Sequence, residues 1–238
     1  MDNLAEALNF VANLKDQNFS RSEVEIAGRM YRRGSLVAIE EPEAPRLELR
    51  TLTGLVDYLG ANVDELKLET LLVQVASPVS VFLRSAVFGP FKQRAVIAVA
   101  EPILPEFQFG AFMSSEDFII GLNAMFTDAG DRDALLADVA AIKIDAGAGV
   151  KDDGTSQTVT MEAGARLLSQ RQTKPSVTLH PFCTFQEIDQ PARQFLFRLS
   201  KEGQPGLFVA DGEAWRNKAM LDIKAWLSER LKDMHIIA

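Results

Sequence analysis

The spacing of apolar residues along the chain predicts five amphipathic helices. In each segment, apolar positions recur three or four residues apart, which places them on one face of a helix. The segments are residues 2–15, residues 52–59, the stretch after Ser114, the stretch after Asp131, and residues 212–233. The last segment carries both tryptophans of the chain on its apolar stripe. We therefore expect a long C-terminal amphipathic helix and four shorter helices before it.

Polar residues at three of these helix starts predict N-caps. Thr51, Ser114 and Asp131 each precede an apolar-periodic stretch, and their side-chain oxygens are of the type that accepts the free N–H groups of a first helical turn. Asp117 lies three residues after Ser114, in a position resembling a capping box. Gly60 is predicted to end the second helix, because glycine adopts the left-handed conformation at little cost.

Runs of apolar and β-branched residues, broken by short turns, predict strands. The predicted strands are residues 23–30, 35–40, 71–76, 79–87, 93–100, 107–113, 142–150, 155–161, 176–185, 194–200 and 206–210. Ser77-Pro78 and Gly89-Pro90 separate three of them, which predicts an antiparallel meander. Arg32-Arg33-Gly34 and Asp152-Asp153-Gly154 predict hairpin turns. The prolines within 101–105 predict a loop or a sheet edge there.

Helices and strands fall into separate blocks along the chain rather than alternating one by one. This order favours an α+β fold, with antiparallel sheets and segregated helices, over a doubly wound α/β fold. With 238 residues, 47% of them hydrophobic, the chain is long enough to bury a core without a metal or a disulfide. We expect one α+β domain over residues 1–238, in which residues 1–45 form an arm of helix and hairpin.

Charge and composition narrow the partners and the compartment. The net charge of −8 disfavours duplex nucleic acid as the main partner, because phosphate binding needs clustered Lys and Arg. Arg29, Arg32 and Arg33 form a small basic cluster, which we interpret as a solvated turn. A single cysteine excludes an internal disulfide, and the N-terminus lacks the pattern of a signal peptide. Since no apolar run reaches the roughly 18 residues of a membrane span, we expect a soluble cytoplasmic protein without a membrane partner.

His180 and Cys183 are the residues most similar to a nucleophile and its base. A Cys–His pair needs both side chains within hydrogen-bonding reach. If residues 176–185 form one strand, Cys183 shares a face with Leu179, and His180 points to the opposite face unless Pro181 introduces a bulge. We therefore interpret Cys183 as a small buried apolar residue rather than as a nucleophile.

The sequence contains few candidate metal ligands. The Cys and His residues are His180, Cys183 and His235. A structural zinc site needs about four such ligands. Asp128, Asp131 and Asp133 form the best carboxylate cluster, but it departs from an EF-hand loop, and acidic residues are expected at a helix start. Because Gly147-Ala148-Gly149 also lacks the spacing of a phosphate loop, the sequence assigns no catalytic, cofactor-binding or metal-binding residue and no cofactor.

Phenylalanine is frequent, with 15 residues against two tyrosines and two tryptophans. Phe107 and Phe109 alternate along one predicted strand, and Phe195 and Phe197 alternate along another. Such pairs stack on bases in single-strand-binding proteins, which also supply a basic groove. Because this chain is acidic, we interpret the pairs as core or subunit-interface packing and keep base stacking as the alternative.

Four blocks of the sequence, taken together and in order, resemble a family of uncharacterised phage and prophage proteins related to YfdQ. The blocks are RTLTGLVDYL (50–59), SSEDFIIGL (114–122), DDGTSQTVTMEAG (152–164) and FCTFQEIDQPARQFLFRL (182–199). The more specific part is an acidic-Gly-x-Ser-Gln hairpin followed by TFxEIxQPxxxF. The resemblance spans the chain from about residue 50 to the C-terminal helix and does not include residues 1–45. It implies a phage or prophage origin and the cytoplasm of a bacterial host, and it transfers no catalytic residue.

These observations lead to three hypotheses about function. The first is a non-enzymatic phage or prophage accessory protein that acts through homo-oligomeric assembly or through binding another phage or host protein. The second is a single-stranded nucleic-acid-binding accessory factor in phage DNA metabolism. The third is a carboxylate- or metal-dependent enzyme that would use Asp128, Asp131 and Asp133. The missing catalytic constellations and the abundance of strand edges favour the first over an enzyme.

Overall fold

The computed structural model describes residues 44–89, 91–141 and 175–238 with their side chains. It also describes helical residues at positions 8, 10 and 13, and the backbone of strands that lie between residues 23 and 38 and between 149 and 173. The helices are α1 (Leu52–Ala61), α2 (Ser115–Met125), α3 (Arg132–Ala141) and α4 (Trp215–Arg230). The strands are β1 (Glu23–Ile26), β2 (Arg29–Arg32), β3 (Val37–Ala38), β4 (Leu47–Leu49), β5 (Leu72–Ser77), β6 (Ser80–Arg84), β7 (Val96–Ala100), β8 (Gly149–Asp152), β9 (Gln157–Ala163), β10 (Arg166–Thr173), β11 (Ser176–Leu179), β12 (Arg193–Leu199), β13 (Pro205–Val209) and β14 (His235–Ile237). The fold is α+β, as the sequence predicted.

A five-stranded sheet contains the predicted meander. Its strand order is β14-β5-β6-β7-β4, and β5, β6 and β7 pair antiparallel with short turns. Strands β14 and β4 join the two edges in parallel, so the sheet is mixed rather than antiparallel throughout. The difference arises because both edge strands are three residues long, which leaves too little alternation for the sequence pattern to reveal.

Helices α1 and α4 pack with this sheet around one core. Alternate positions of β5 and β6 are buried, whereas the last three residues of β7, Ala98, Val99 and Ala100, are all buried. The core includes Val73, Val75, Val81, Leu83, Ala98 and Ala100 from the sheet, with Leu52, Leu55 and Leu59 from α1 and Ile223 and Leu227 from α4. The predicted stripe of the C-terminal helix therefore faces the sheet.

A three-stranded antiparallel sheet, in the order β11-β12-β13, forms the second core with α2 and α3. Strand β12 buries alternate residues, and Phe195 and Phe197 are 0% and 1% exposed. They pack with Phe118 and Leu122 of α2 and with Leu135 of α3. The interpretation of the Phe195 and Phe197 pair as core packing is confirmed.

Irregular segments, rather than further strands, cover both edges of the three-stranded sheet. At the outer edge of β13, the N–H of Gly110 donates to the carbonyl of Leu207 at 2.8 Å, and Met113 N donates to Pro205 O at 3.0 Å. At the outer edge of β11, the N–H of Asp131 donates to Thr178 O at 2.8 Å. The polar backbone groups of these edges thus find partners within the chain.

One connection links the two cores. The chain leaves β11, places Phe185 and Ile188 in the core of the five-stranded sheet, and returns to β12. The hydroxyl of Thr184, which is fully buried, donates to the carbonyl of Pro78 in the β5–β6 turn at 2.6 Å. Residues of the TFxEIxQPxxxF segment therefore hold the two halves of the fold together.

The local helix signals were largely confirmed. The hydroxyl of Thr51 accepts a hydrogen bond from Gly54 N at 2.9 Å, and Ser114 accepts one from Asp117 N at 3.0 Å. The predicted stop at Gly60 was wrong, because α1 runs on to Asn62, whose φ of 42° supplies the left-handed cap. Asparagine tolerates this conformation better than most residues with a side chain.

Several strand predictions needed correction. In place of one strand over 23–30, strands β1 and β2 pair with each other. Strand β2 pairs antiparallel with β3, as the predicted hairpin requires, and residues 33–36 between them lie outside the described residues. Residues 107–113 form no strand but a loop with a single bridge from Phe112 to Gly206. Strand β11 ends at Leu179, so residues 180–185 lie in the connection described above.

The remaining predicted elements concern the two ends of the chain and one central hairpin. Strands β8 and β9 pair antiparallel, as the predicted hairpin requires, and residues 153–156 between them lie outside the described residues. Strand β10 was not predicted. The C-terminal residues, for which the sequence predicted no strand, form β14 beside β5. Three further predictions fall on parts of the chain outside the described residues. They are the helix over 2–15, apart from its three helical positions already given, residues 142–148, and the side chains of Arg29, Arg32 and Arg33.

Candidate functional site

A cleft of about 680 Å³ lies where the two sheets approach each other. Its walls come from Val79 in the β5–β6 turn, from the segment 101–109 that follows β7, from Met125 at the end of α2, from residues 181–183, and from Arg193 at the start of β12. The volume lies within the usual range for binding pockets in proteins. The cleft is the strongest candidate for a binding site in the described part of the chain.

The segment after β7 makes one wall apolar and the rim acidic. Pro102, Leu104 and Pro105 line the cleft, and the two prolines keep this segment out of the sheet, as the sequence predicted. Glu101 and Glu106 also line the cleft, and both are exposed to solvent. An apolar wall with carboxylates at its rim suits a ligand that has an apolar body and a cationic group.

Arg193 forms a buried ion pair beside the cleft. Its Nε donates to Oδ2 of Asp211 at 2.7 Å, and the side chains of the two residues are 9% and 10% exposed. Burial alone would raise the pKa of the Asp211 carboxyl, but hydrogen bonds from Arg193 and from the N–H of Glu213 outweigh it and lower the pKa below its ordinary value. The guanidinium is therefore fixed in place by a charged partner.

Aromatic rings surround the same guanidinium. The Cζ atom of Arg193 lies 4.9 Å from the ring centroid of Trp215, 5.3 Å from that of Phe195 and 5.9 Å from that of Phe109. These distances fall within the range of cation–π attraction. Phe109 and Phe195 are themselves stacked, with ring centroids 5.1 Å apart. Arg193 and Phe109, which both line the cleft, thus belong to one cluster of packed aromatic rings.

Cys183 lines the cleft but is a weak nucleophile. Burial raises the pKa of its thiol to about 11, and the positive charge of Arg193 only partly offsets this effect. Since the thiolate is the reactive form, the thiol stays protonated and unreactive at neutral pH. The sequence predicted a buried residue, whereas Cys183 is half-buried at the cleft surface, and its raised pKa disfavours a role as a nucleophile.

His180 takes part in a hydrogen-bond network centred on Gln190. Its Nδ1 lies 2.9 Å from the carbonyl of Gln190, which can only accept, so this ring nitrogen donates. The side-chain carbonyl of Gln190 accepts from Cys183 N at 2.9 Å and also from Thr184 N. Its side-chain nitrogen donates to the carbonyl of Ile188 at 3.0 Å and also to that of Phe185. The expected separation of His180 and Cys183 by strand alternation does not apply, because β11 ends before both residues; each has a structural role in the connection instead.

The aspartates of the proposed carboxylate site have other roles. Oδ2 of Asp131 accepts the N–H of Thr178 at 2.9 Å and so helps to cover the edge of β11. Asp133 pairs with Arg132 at 3.4 Å, while Asp128 is exposed. Among the residues that the structure describes, no group of three or more Cys, His, Asp or Glu is placed to hold a metal ion.

A second surface feature is the 85–95 hairpin, which extends β6 and β7 beyond the sheet. Ser85 N donates to Ala95 O at 3.0 Å, and Phe88 and Gln93 form a bridge with two backbone hydrogen bonds of 2.9 Å. Gly89 closes the tip with a φ of 68°, which glycine adopts readily. These bonds join the two sides of the hairpin outside the core, and Pro90 between them lies outside the described residues.

The tip of this hairpin is apolar and basic. Val87, Phe88 and Phe91 are 49%, 44% and 63% exposed, and Lys92 and Arg94 beside them are also exposed. Grouped large apolar side chains on a surface mark interaction sites more often than scattered ones do. The sequence signals for this surface were Phe-Gly-Pro-Phe followed by Lys-Gln-Arg. From the sequence, Gly89-Pro90 predicted only a turn.

The charge of this region differs from that of the whole chain. Residues 70–100 contain no Asp or Glu, and their charged residues are Arg84, Lys92 and Arg94. The chain as a whole carries a net charge of −8. The 85–95 hairpin is therefore a positive feature on an acidic protein, suited to an acidic partner surface.

Comparisons with protein-family models, curated proteins and solved structures gave no match for this chain. Among the helices that the structure describes, none is both long and apolar enough to span a membrane.

Proposed function

We propose that this chain is a non-enzymatic phage or prophage accessory protein of the bacterial cytoplasm, acting through self-association or through binding a partner protein. The observation that carries the binding role is the exposed cluster of Val87, Phe88 and Phe91 at the tip of a hydrogen-bonded hairpin. Leaving such side chains in water is unfavourable, and covering them with a partner stabilises a complex. The phage origin and the compartment are supported by the resemblance of the four sequence blocks.

The mass of the protein in solution tests self-association. We expect size-exclusion chromatography with light scattering to give a mass above the 26.2 kDa of one chain at micromolar concentrations. The mass should fall on dilution, because association by mass action depends on concentration. A constant mass of one chain throughout this range would contradict self-association.

The second candidate function, single-stranded nucleic-acid binding, is favoured by the same hairpin rather than by the phenylalanine pairs singled out in the sequence. Phe195 and Phe197 are buried in the core and offer no ring face to a base. Phe88 and Phe91 are exposed next to basic side chains, which is the combination that stacks on bases and attracts phosphates.

A gel-shift assay with a short single-stranded oligonucleotide at low salt tests this second candidate. Binding should weaken on Phe88→Ala and on Lys92→Glu, with Leu221→Ala on α4 as a control at another exposed apolar site, 61% exposed. A shift that all three variants preserve, or no shift with the wild type, would contradict binding through the hairpin.

A further inference from the structure

The cleft and the 85–95 hairpin are complementary in chemistry. The cleft combines an apolar wall, including Leu104, with the exposed carboxylates of Glu101 and Glu106. The hairpin combines exposed apolar side chains with the exposed cations Lys92 and Arg94. The two surfaces are therefore both apolar and carry charges of opposite sign, so each can cover the other's apolar side chains and pair with its charges.

The two surfaces lie at opposite ends of the same strands. Val79, which precedes β6, and Glu101, which follows β7, line the cleft, whereas the hairpin joins the other ends of β6 and β7. At roughly 3.3 Å per residue, β6 alone separates its two ends by about 13 Å, and Phe88 lies about as far again along the hairpin. The hairpin of one chain therefore cannot reach the cleft of the same chain.

We propose that the hairpin of one copy binds in the cleft of a second copy. This inference rests on the self-association proposed above and names the surfaces that meet. The apolar tip, with Phe91 at its turn, packs against the wall that contains Leu104, while Lys92 approaches Glu106. The tip of a two-stranded hairpin is narrow, and the cleft volume of about 680 Å³ accommodates several side chains.

A contact between two different surfaces is heterologous. After one contact has formed, the pair still has a free cleft on one copy and a free hairpin on the other. Such association continues until a ring closes or a filament grows. This arrangement differs from a symmetric dimer, in which one surface meets its own copy, and the difference can be measured.

Two variants of the full chain, each with one surface disabled, test the proposal. Phe91→Asp places a charge on the hairpin tip, and Leu104→Asp places one in the cleft wall. Each variant alone should associate roughly 30-fold more weakly than the wild type, since truncating a central apolar contact has an effect of this size. Val63→Asp and Ile103→Asp, at sites 71% and 76% exposed outside the cleft lining, are the matched controls and should behave as the wild type does.

An equimolar mixture of the two variants gives the decisive measurement. The intact hairpin of the Leu104→Asp chain can bind the intact cleft of the Phe91→Asp chain, and no further copy can add. We expect light scattering to give twice the 26.2 kDa of one chain for the mixture and the mass of one chain for each variant alone. Only a heterologous contact predicts this recovery.

Further variants keep the test valid if Leu104→Asp disturbs folding. Glu106→Lys changes an exposed side chain, so circular dichroism should show the same fold as in the wild type. This variant should associate less strongly than the wild type. Adding Lys92→Glu in a second chain should restore association with the Glu106→Lys chain. Failure of this pair to associate better than either variant alone would count against the proposal.

The outcomes distinguish this inference from the proposed function on which it rests. A wild-type protein with the mass of one chain would refute self-association itself. An oligomeric wild type with variants of unchanged mass, or a mixture that stays at the mass of one chain, would refute only the hairpin-in-cleft contact. A wild type of one-chain mass whose oligonucleotide shift is lost in Lys92→Glu would assign the hairpin to nucleic-acid binding instead.

Discussion

Arg193 and Asp211 contribute to stability in a way that depends on pH. The folded-state pKa of Asp211 is lower than the ordinary value of about 4 that applies in the unfolded chain. The stabilisation is therefore complete above about pH 4 and is lost as the pH falls through the lowered folded-state pKa. Protonation of the Asp211 carboxyl beside a buried guanidinium is therefore one of the steps of acid unfolding.

Replacing Asp211 by Asn tests this contribution. Because the substitution leaves a buried guanidinium without its charged partner, we expect it to lower the free energy of unfolding by roughly 3 kcal/mol at neutral pH. The difference from the wild type should shrink as the pH falls below the ordinary carboxyl range and the carboxylate of the wild type becomes protonated. Urea unfolding at neutral pH and over a series of acidic pH values measures it. Asp222→Asn, which breaks the exposed pair with Lys218, should change stability by no more than about 0.5 kcal/mol.

The Cys183 thiol should react slowly in the folded protein. With a pKa of about 11, its thiolate fraction near pH 8 is roughly 100-fold below that of an ordinary cysteine. We expect iodoacetamide labelling, followed by mass spectrometry, to be slower in buffer than in denaturing urea by about this factor. Equal rates in the two conditions would show that the cleft does not shield the thiol.

At the scale of elements, the connection between β11 and β12 depends on one amide. Gln190 makes hydrogen bonds with the backbone of Cys183, Thr184, Phe185 and Ile188, which fixes the path of a segment without regular structure. Gln190→Ala removes all of these hydrogen bonds, and we expect a loss of roughly 3 kcal/mol in the free energy of unfolding. Gln186→Ala, at an exposed position of the same connection, should change it by less than about 0.5 kcal/mol. Denaturant unfolding of both variants measures the contrast.

The elements show which features of the fold the sequence could predict. The caps at Thr51 and Ser114 and the β5–β6–β7 meander depend on residues close together in the chain, and these predictions were confirmed. Strand β14 has three residues and gains its partner from β5, far away in the sequence, so its local pattern carries no signal. The alternating phenylalanines of 107–113 resembled a strand, but the segment instead covers the edge of β13.

At the scale of the whole molecule, the cleft could not be predicted because its residues are far apart in sequence. Val79, Glu106, Cys183 and Arg193 meet only when the two sheets approach each other. Cys183 was singled out for its chemistry, whereas Arg193 was not, since a lone arginine in a predicted strand has no distinguishing pattern. The hairpin had a local signal, namely exposed phenylalanines in a stretch without acidic residues, but only the structure shows how exposed those rings are.

The connection that carries Phe185 and Ile188 into the opposite core also links the stabilities of the two halves. Unfolding either half would expose these buried side chains or leave the segment that carries them without its packing contacts. We expect circular dichroism in the far ultraviolet and tryptophan fluorescence to give the same thermal midpoint. Two separate midpoints would show that the two cores unfold independently.

The covered edges of the three-stranded sheet have a consequence for the behaviour of the protein at high concentration. An open edge accepts a strand from any neighbouring chain, which is a route to domain swapping and to amyloid-like aggregation. Here the segments containing Gly110 and Asp131 occupy those edges with their own hydrogen bonds. A foreign strand would first have to displace part of the native chain, so this sheet resists indiscriminate growth even in a protein whose other surfaces favour association.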